Sequence, residues 1–78
     1  VGGGSEELTR SPLDALANRE LEVFRLIGKG IKTAGIAERL HLSIKTIETY
    51  RERIREKLAL RDGTELAHYA TKWLLENG

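Results

Sequence analysis

The segment from Ser43 to Leu58 restricts the fold more than any other stretch of the chain. It contains neither glycine nor proline, and it opens on serine, one of the best residue types for capping a helix N-terminus. It therefore reads as one helix from about Ile44 to Leu58. At about 100° per residue, Ile54 and Leu58 fall within about 20° of Ile47. Tyr50 and Arg51 flank that stripe. Lys45, Thr49, Glu52 and Glu56 point the opposite way, with Glu48 and Arg53 at the edges. So narrow an apolar stripe requires other helices to be laid across one side only. The opposite side is polar throughout and is left for water or for a polar partner.

The flanking sequence supplies those helices. Leu21, Phe24 and Ile27 recur at helical spacing and predict a first helix over about Asn18–Ile27. Glu20 and Glu22 lie in its first turn, where the helix dipole favours anions. Gly28-Lys29-Gly30 reads as its stop, because glycine accepts the left-handed conformation that often ends a helix. Ile36, Ala37 and Leu40 predict a second helix over about Ala34–His41, with Thr33 as its N-cap. Leu42-Ser43 is a tight connection to the third helix. Asp62 followed by Glu65 is a capping-box-like pair. Leu66, Tyr69, Ala70, Trp73 and Leu74 then form the stripe of a fourth helix that closes at Asn77-Gly78. The glycine-rich residues 1–12 read as a flexible linker or tag remnant, and residues 13–78 as one domain with Leu13 and Leu16 against its core. The expected fold class is all-α, a four-helix domain. A short helix, a tight turn and a longer polar-faced helix give it a helix-turn-helix outline.

A chain of 78 residues without cysteine has no disulfide to reinforce so small a core. His41 and His68 stand far apart with no partner at ligand spacing, so no metal or cofactor is expected. No nucleophile stands beside a base, and no glycine-rich phosphate loop precedes a helix, which argues against an enzyme. No apolar run approaches the ~20 residues of a membrane span, and nothing resembles a signal peptide. These features, with the lack of cysteine, fit a cytoplasmic protein. The net charge is only +1, but it is unevenly spread: residues 39–61 carry seven basic and three acidic side chains, while the segments before and after are net acidic. Positive charge gathered in the middle third is what an electrostatic footprint on phosphate requires. On charge alone, a solvated helix face laced with pairs such as Glu48–Arg51 and Glu52–Arg55 explains it equally well.

From about Leu16 to Asn77 the chain resembles the LuxR-type, or GerE-type, helix-turn-helix. The resemblance rests on Arg19-Glu20-x-Glu22-Val23, Leu26-Ile27-x-x-Gly30, Ile36-Ala37-x-x-Leu40, Leu42-Ser43-x-x-Thr46-Ile47 and Ile54-x-x-Lys57-Leu58, with Glu65-Leu66 and Ala70 in the last helix. It implies a DNA-binding output domain of a bacterial transcriptional regulator, such as a two-component response regulator. It also implies an upstream receiver or sensor domain, whose linker Arg10–Leu16 would end, and a homodimer formed through the fourth helix. The chain departs from the family pattern at Ala17, where Ser or Thr usually caps the first helix. Other departures are Lys32, Gly35, Glu48 and Tyr50.

The expected partner is double-stranded DNA, and the expected contacts are Lys32, Thr33, Lys45, Thr46, Glu48, Thr49, Glu52 and Arg53. Lys32 and Arg53 suit phosphates, and Thr49 suits a thymine methyl. Thr46 suits a phosphate or, alternatively, a local cap of its own helix. Glu48 is repelled by phosphates and helps only by accepting from a cytosine amine. Its plainer reading is an ion pair with Arg51. Lys57 suits a structural role. Tyr69 and Trp73 are expected at the dimer interface or in the core. The alternative function is a helical protein-interaction module without DNA binding, suggested by Glu48, Glu52 and Glu56 on the presumed reading face.

Overall fold

The computed structural model describes residues 12–77. A short 3-10 turn, Pro12–Ala15, leads into four helices: α1 (Asn18–Gly28), α2 (Thr33–Leu40), α3 (Ile44–Lys57) and α4 (Gly63–Asn77). No strand occurs among the described residues. The all-α four-helix expectation holds. The linker assigned to residues 1–12 lies, except for Pro12, outside the described residues.

α1 is the hub, packing on α4, on α3 and on α2, while α3 is further held by α2 and α4. Phe24, Val23, Ile36, Ile47, Ile54 and Leu66 are fully buried where these helices meet. Burial of each is worth about 1.5–3 kcal/mol, which is how a core this small stands without cross-links. Leu13, in the 3-10 turn, and Leu16, directly after it, complete the core. The Phe24 ring meets Tyr69 and Trp73 edge to face in T-shaped pairs, both with centroids 5.9 Å apart, which fastens α4 to α1.

The helix ends depart from the sequence expectation in two places, Lys32 and Gly28, and agree with it at Ala17. Ala17 is the N-cap of α1 and offers no side-chain acceptor. In its place, the Glu20 carboxylate accepts the Ala17 N–H at 2.9 Å, so one half of a capping box survives without a capping hydroxyl. Lys32, and not Thr33, is the N-cap of α2, again with no side-chain hydrogen bond. Gly28 is not a conformational stop. It is the last residue of α1, and a Cβ there would lie 2.7 Å from the Ala70 carbonyl oxygen and 2.6 Å from Leu74 Cδ1. Its missing side chain lets α1 and α4 approach closely. The left-handed residue that ends α1 is Gly30, at φ 84°.

The same terminus recurs down the chain. Ile31 N–H donates to Leu26 O and Gly30 N–H to Ile27 O after α1; Leu42 to Ala37 and His41 to Glu38 after α2; Leu60 to Arg55 and Ala59 to Glu56 after α3. This paired bonding is the Schellman closure, and its pivot residue must be left-handed. Gly30 suits that role, whereas His41 and Ala59 occupy it with a side chain, each at φ 58°.

Candidate nucleic-acid interface

α3 starts where the sequence places it. Ser43 Oγ accepts the Thr46 N–H at 3.1 Å and lies 2.9 Å from Thr46 Oγ1. Ser43 therefore caps the helix, and the Thr46 hydroxyl is engaged in that cap. Ile47 and Ile54 are fully buried, and Leu58, Tyr50 and Arg51 are half-buried beside them. Lys45, Glu48, Thr49 and Glu52 are exposed at i, i+3, i+4 and i+7 and so share one outward face. Arg53 is exposed at the edge of that face, and Thr46 is half-buried. Ile44, which sequence reasoning passed over, is 49 % exposed in the first turn. The available signal was its place directly after the cap, off the Ile47–Ile54 stripe.

Local bonds limit what these side chains can offer. Thr49 Oγ1 donates to Lys45 O at 3.1 Å, so its proton is committed to the helix and its methyl group and lone pairs remain. Neither Glu48 nor Glu52 forms the expected pair with the arginine three residues on. Among the described residues the ion pairs are Arg19–Glu22 at 3.1 Å and Lys57–Glu20 at 2.7 Å. The arginines turn elsewhere. Arg55 Nη1 donates to the Arg61 carbonyl at 2.8 Å, and Arg51 Nη2 would lie 3.2 Å from a Cβ at Gly63. Arg55 thus supports the loop into α4, and Arg51 lies beside its end. That loop is capped by Asp62, whose carboxylate accepts the Glu65 N–H, while Glu65 accepts the Arg61 N–H. With the arginines so placed, the outward face of α3 carries bare carboxylates at Glu48 and Glu52.

Lys57 turns towards α1. Its ammonium reaches across to Glu20, which is 3 % exposed. Burial alone would raise the Glu20 carboxyl. The Lys57 ammonium, the Ala17 N–H and the charge of Arg53 together outweigh it and hold the carboxyl below its ordinary value of 4.5. The last turn of α3 is thus pinned to the first turn of α1, the structural role expected for Lys57.

Lys32 and Thr33 stand apart from the α3 residues, at the N-terminus of α2, with Lys32 exposed and Thr33 half-buried. No hydrogen bond or ion pair among the described residues links them to α3. Tyr69 and Trp73 sit together on α4, half-buried against Phe24, and with Lys72 and Glu76 they line a groove of about 210 Å³. No helix among the described residues is long and apolar enough to cross a membrane, and none of their acidic or histidine side chains gather into a metal-holding group.

A helix with a buried inner stripe, a capped N-terminus and an unpaired polar outer face, joined by a three-residue turn to a shorter helix, is the geometry of a groove-reading element. Comparison with known proteins agrees. The model of the bacterial regulatory proteins of the luxR family matches residues 14–70. Among curated proteins, the oxygen regulatory protein NreC of Staphylococcus carnosus strain TM300 is 41 % identical over 70 residues, covering 90 % of this chain and 32 % of that protein. NreC of Staphylococcus aureus strain JH9 is 44 % identical over 64 residues, covering 82 % of this chain and 30 % of its own length. The chain spans about a third of the length of these relatives. On the match over residues 14–70, the chain belongs to the luxR family of bacterial regulatory proteins, as its helix-turn-helix DNA-binding domain.

Proposed function

We propose that this domain is the output unit of a cytoplasmic two-component response regulator, and that it reads duplex DNA by placing α3 in the major groove. The observation that carries the reading is the outward face of α3, where Lys45, Glu48, Thr49 and Glu52 are exposed with no ion-pair partner among the described residues. In this reading Lys45 meets a phosphate or base edge, Glu48 accepts from a cytosine amine, and Ile44 and the Thr49 methyl contact thymine methyl groups. Thr46 and Glu52 lie beside these contacts. Lys32 and Arg53 neutralise phosphates at the margins. The uncapped N–H groups of α2, next to Lys32 and Thr33, suit a phosphate oxygen, since free first-turn donors and the helix dipole both favour an anion. The domain contributes binding and no chemistry.

The same proposal includes a homodimer on two half-sites, with Tyr69 and Trp73 of α4 near the two-fold axis. It also includes a receiver domain in the part of the full-length protein that the relatives have beyond the matched third. The relatives' name, oxygen regulatory protein, suggests an oxygen-linked signal at that domain.

An unbiased selection of bound duplexes tests these points together. The expected outcome is an enriched motif, repeated at about one helical turn, or about 10 base pairs. Glu48→Ala should relax preference at one base pair, by about 1–3 kcal/mol of discrimination. An equal effect on every sequence would remove Glu48 from base reading. The second reading, a protein-interaction module, draws on the unpaired carboxylates of α3. Failure to bind any duplex at low salt would favour it.

A further inference from the structure

We propose that the shallow groove between α1 and the C-terminal end of α2 docks an acidic peptide segment carrying apolar side chains, supplied by a partner protein. The groove has a volume of about 460 Å³ and is lined by Glu22, Arg25, Leu26, Lys29, Arg39 and Leu40. It shares no residue with the outward face of α3 or with the N-terminus of α2. It is therefore distinct from the proposed DNA face, and the proposal does not depend on which bases α3 reads.

The chemistry of the walls selects the occupant. Glu22, Arg25 and Leu26 of α1 and Lys29, its C-cap, fall on one side at i, i+3, i+4 and i+7. Leu26 and Leu40 are half-buried, packed inward on the core and open outward to the groove. Arg25, Lys29 and Arg39 are exposed, and none pairs with a carboxylate among the described residues. The one acidic residue of the lining, Glu22, is held by Arg19. An apolar floor is thus ringed by three uncompensated cations. Arg25 and Lys29 also line a second groove of about 330 Å³ with Trp73, Leu74 and Asn77. The two cations form a ridge between the two grooves.

Nucleic-acid phosphate would satisfy the cations but leave the leucines uncovered. A purely apolar peptide would cover the leucines but desolvate the cations without a partner, which is costly. Only a segment presenting carboxylates and apolar side chains together meets both demands. The groove volume falls within the ~300–1,000 Å³ of ligand clefts, and its shallowness points to a transient contact, not a permanent one.

The test is an NMR titration of the isotope-labelled chain, with and without duplex DNA. The probe is a peptide of about 12 residues alternating Glu and Leu, and the control replaces each Glu with Lys. Expected is a Kd of roughly 10–500 µM at low salt, with shifts centred on Arg25, Leu26, Lys29, Arg39 and Leu40. The combined variant Arg25→Gln and Arg39→Gln should weaken the peptide at least threefold and leave duplex affinity within about twofold. Four results would overturn the proposal: no shifts at millimolar peptide, shifts centred on α3, equal binding of the Lys control, or loss of duplex affinity in the variant. The last would reassign the cations to DNA phosphate.

Discussion

Glu20 shows how one side chain can serve two elements. Its carboxylate replaces the missing cap of α1 by taking the Ala17 N–H, and it anchors the end of α3 through Lys57. A hydrogen bond to a charged group contributes about 1.5–3 kcal/mol, but Lys57 is 39 % exposed and its share is screened. Glu20→Gln is therefore expected to cost about 1–2 kcal/mol, or about 4–15 °C in Tm for a domain of this size. The carboxyl is held below its ordinary value in the folded state. The unfolded chain therefore binds the proton first as pH falls. Glu20 contributes its full stability above pH 4.5 and loses it as pH drops through the lower folded value. Denaturant melts of Glu20→Gln should show a weaker loss of stability below pH 4.5 than the parent. Equal acid sensitivity would mean that other carboxylates carry the effect. The sequence placed Glu20 correctly in the first turn of α1 but gave it only the helix dipole as partner. Lys57 stands 37 positions away, and no local pattern joins two residues at that separation.

At the scale of the element, three consecutive helices close through the same left-handed pivot, and only the first uses glycine for it. A side chain in that conformation costs about 1–2 kcal/mol, offset in part by the greater freedom of unfolded glycine. Ala59→Gly should therefore stabilise the domain by about 0.5–1 kcal/mol, visible as a higher urea midpoint with an unchanged slope. Gly28 behaves oppositely. Gly28→Ala improves helix propensity but drives a methyl group into the Ala70 backbone. Overpacking of that kind costs about 1–3 kcal/mol, which exceeds the gain of up to about 1 kcal/mol in propensity. Thermal melts should show a net loss, and a rise in Tm would mean that α4 can retreat without cost. The existence of all four helices was legible from apolar spacing, and the cap at Ser43 from residue type. The difference between Gly28 and Gly30 was not. One glycine is needed for its φ and the other for its lack of volume, and only the neighbouring helix distinguishes them.

For the molecule as a whole, a net charge of +1 makes long-range attraction to DNA weak, so affinity depends on where the cations sit. Each phosphate neutralised adds roughly one unit to the salt dependence of binding. Lys32→Ala and Arg53→Ala should each lower that slope by about 1. Lys57→Ala should leave it unchanged, because its charge is already paired with Glu20. Binding isotherms across a salt series would check all three, and a lowered slope for Lys57→Ala would place that residue on the DNA.

The sequence by itself determined the helices, the stripe that α3 buries, the polar face it presents and the family to which it belongs. The helices and their faces depend on residue type and spacing within about 15 positions, the range over which a helix repeats its own geometry, and the family on the order of such motifs along the chain. Only the tertiary structure decided which charges on and around that face are free. It sent Lys57 to Glu20, Arg55 to the Arg61 carbonyl and Arg51 towards Gly63, and left Glu48 and Glu52 without an ion-pair partner among the described residues. A long charged side chain reaches whichever counter-charge or carbonyl the packing of other helices brings near. Spacing along one helix cannot fix that choice, because the competing partners lie on other elements.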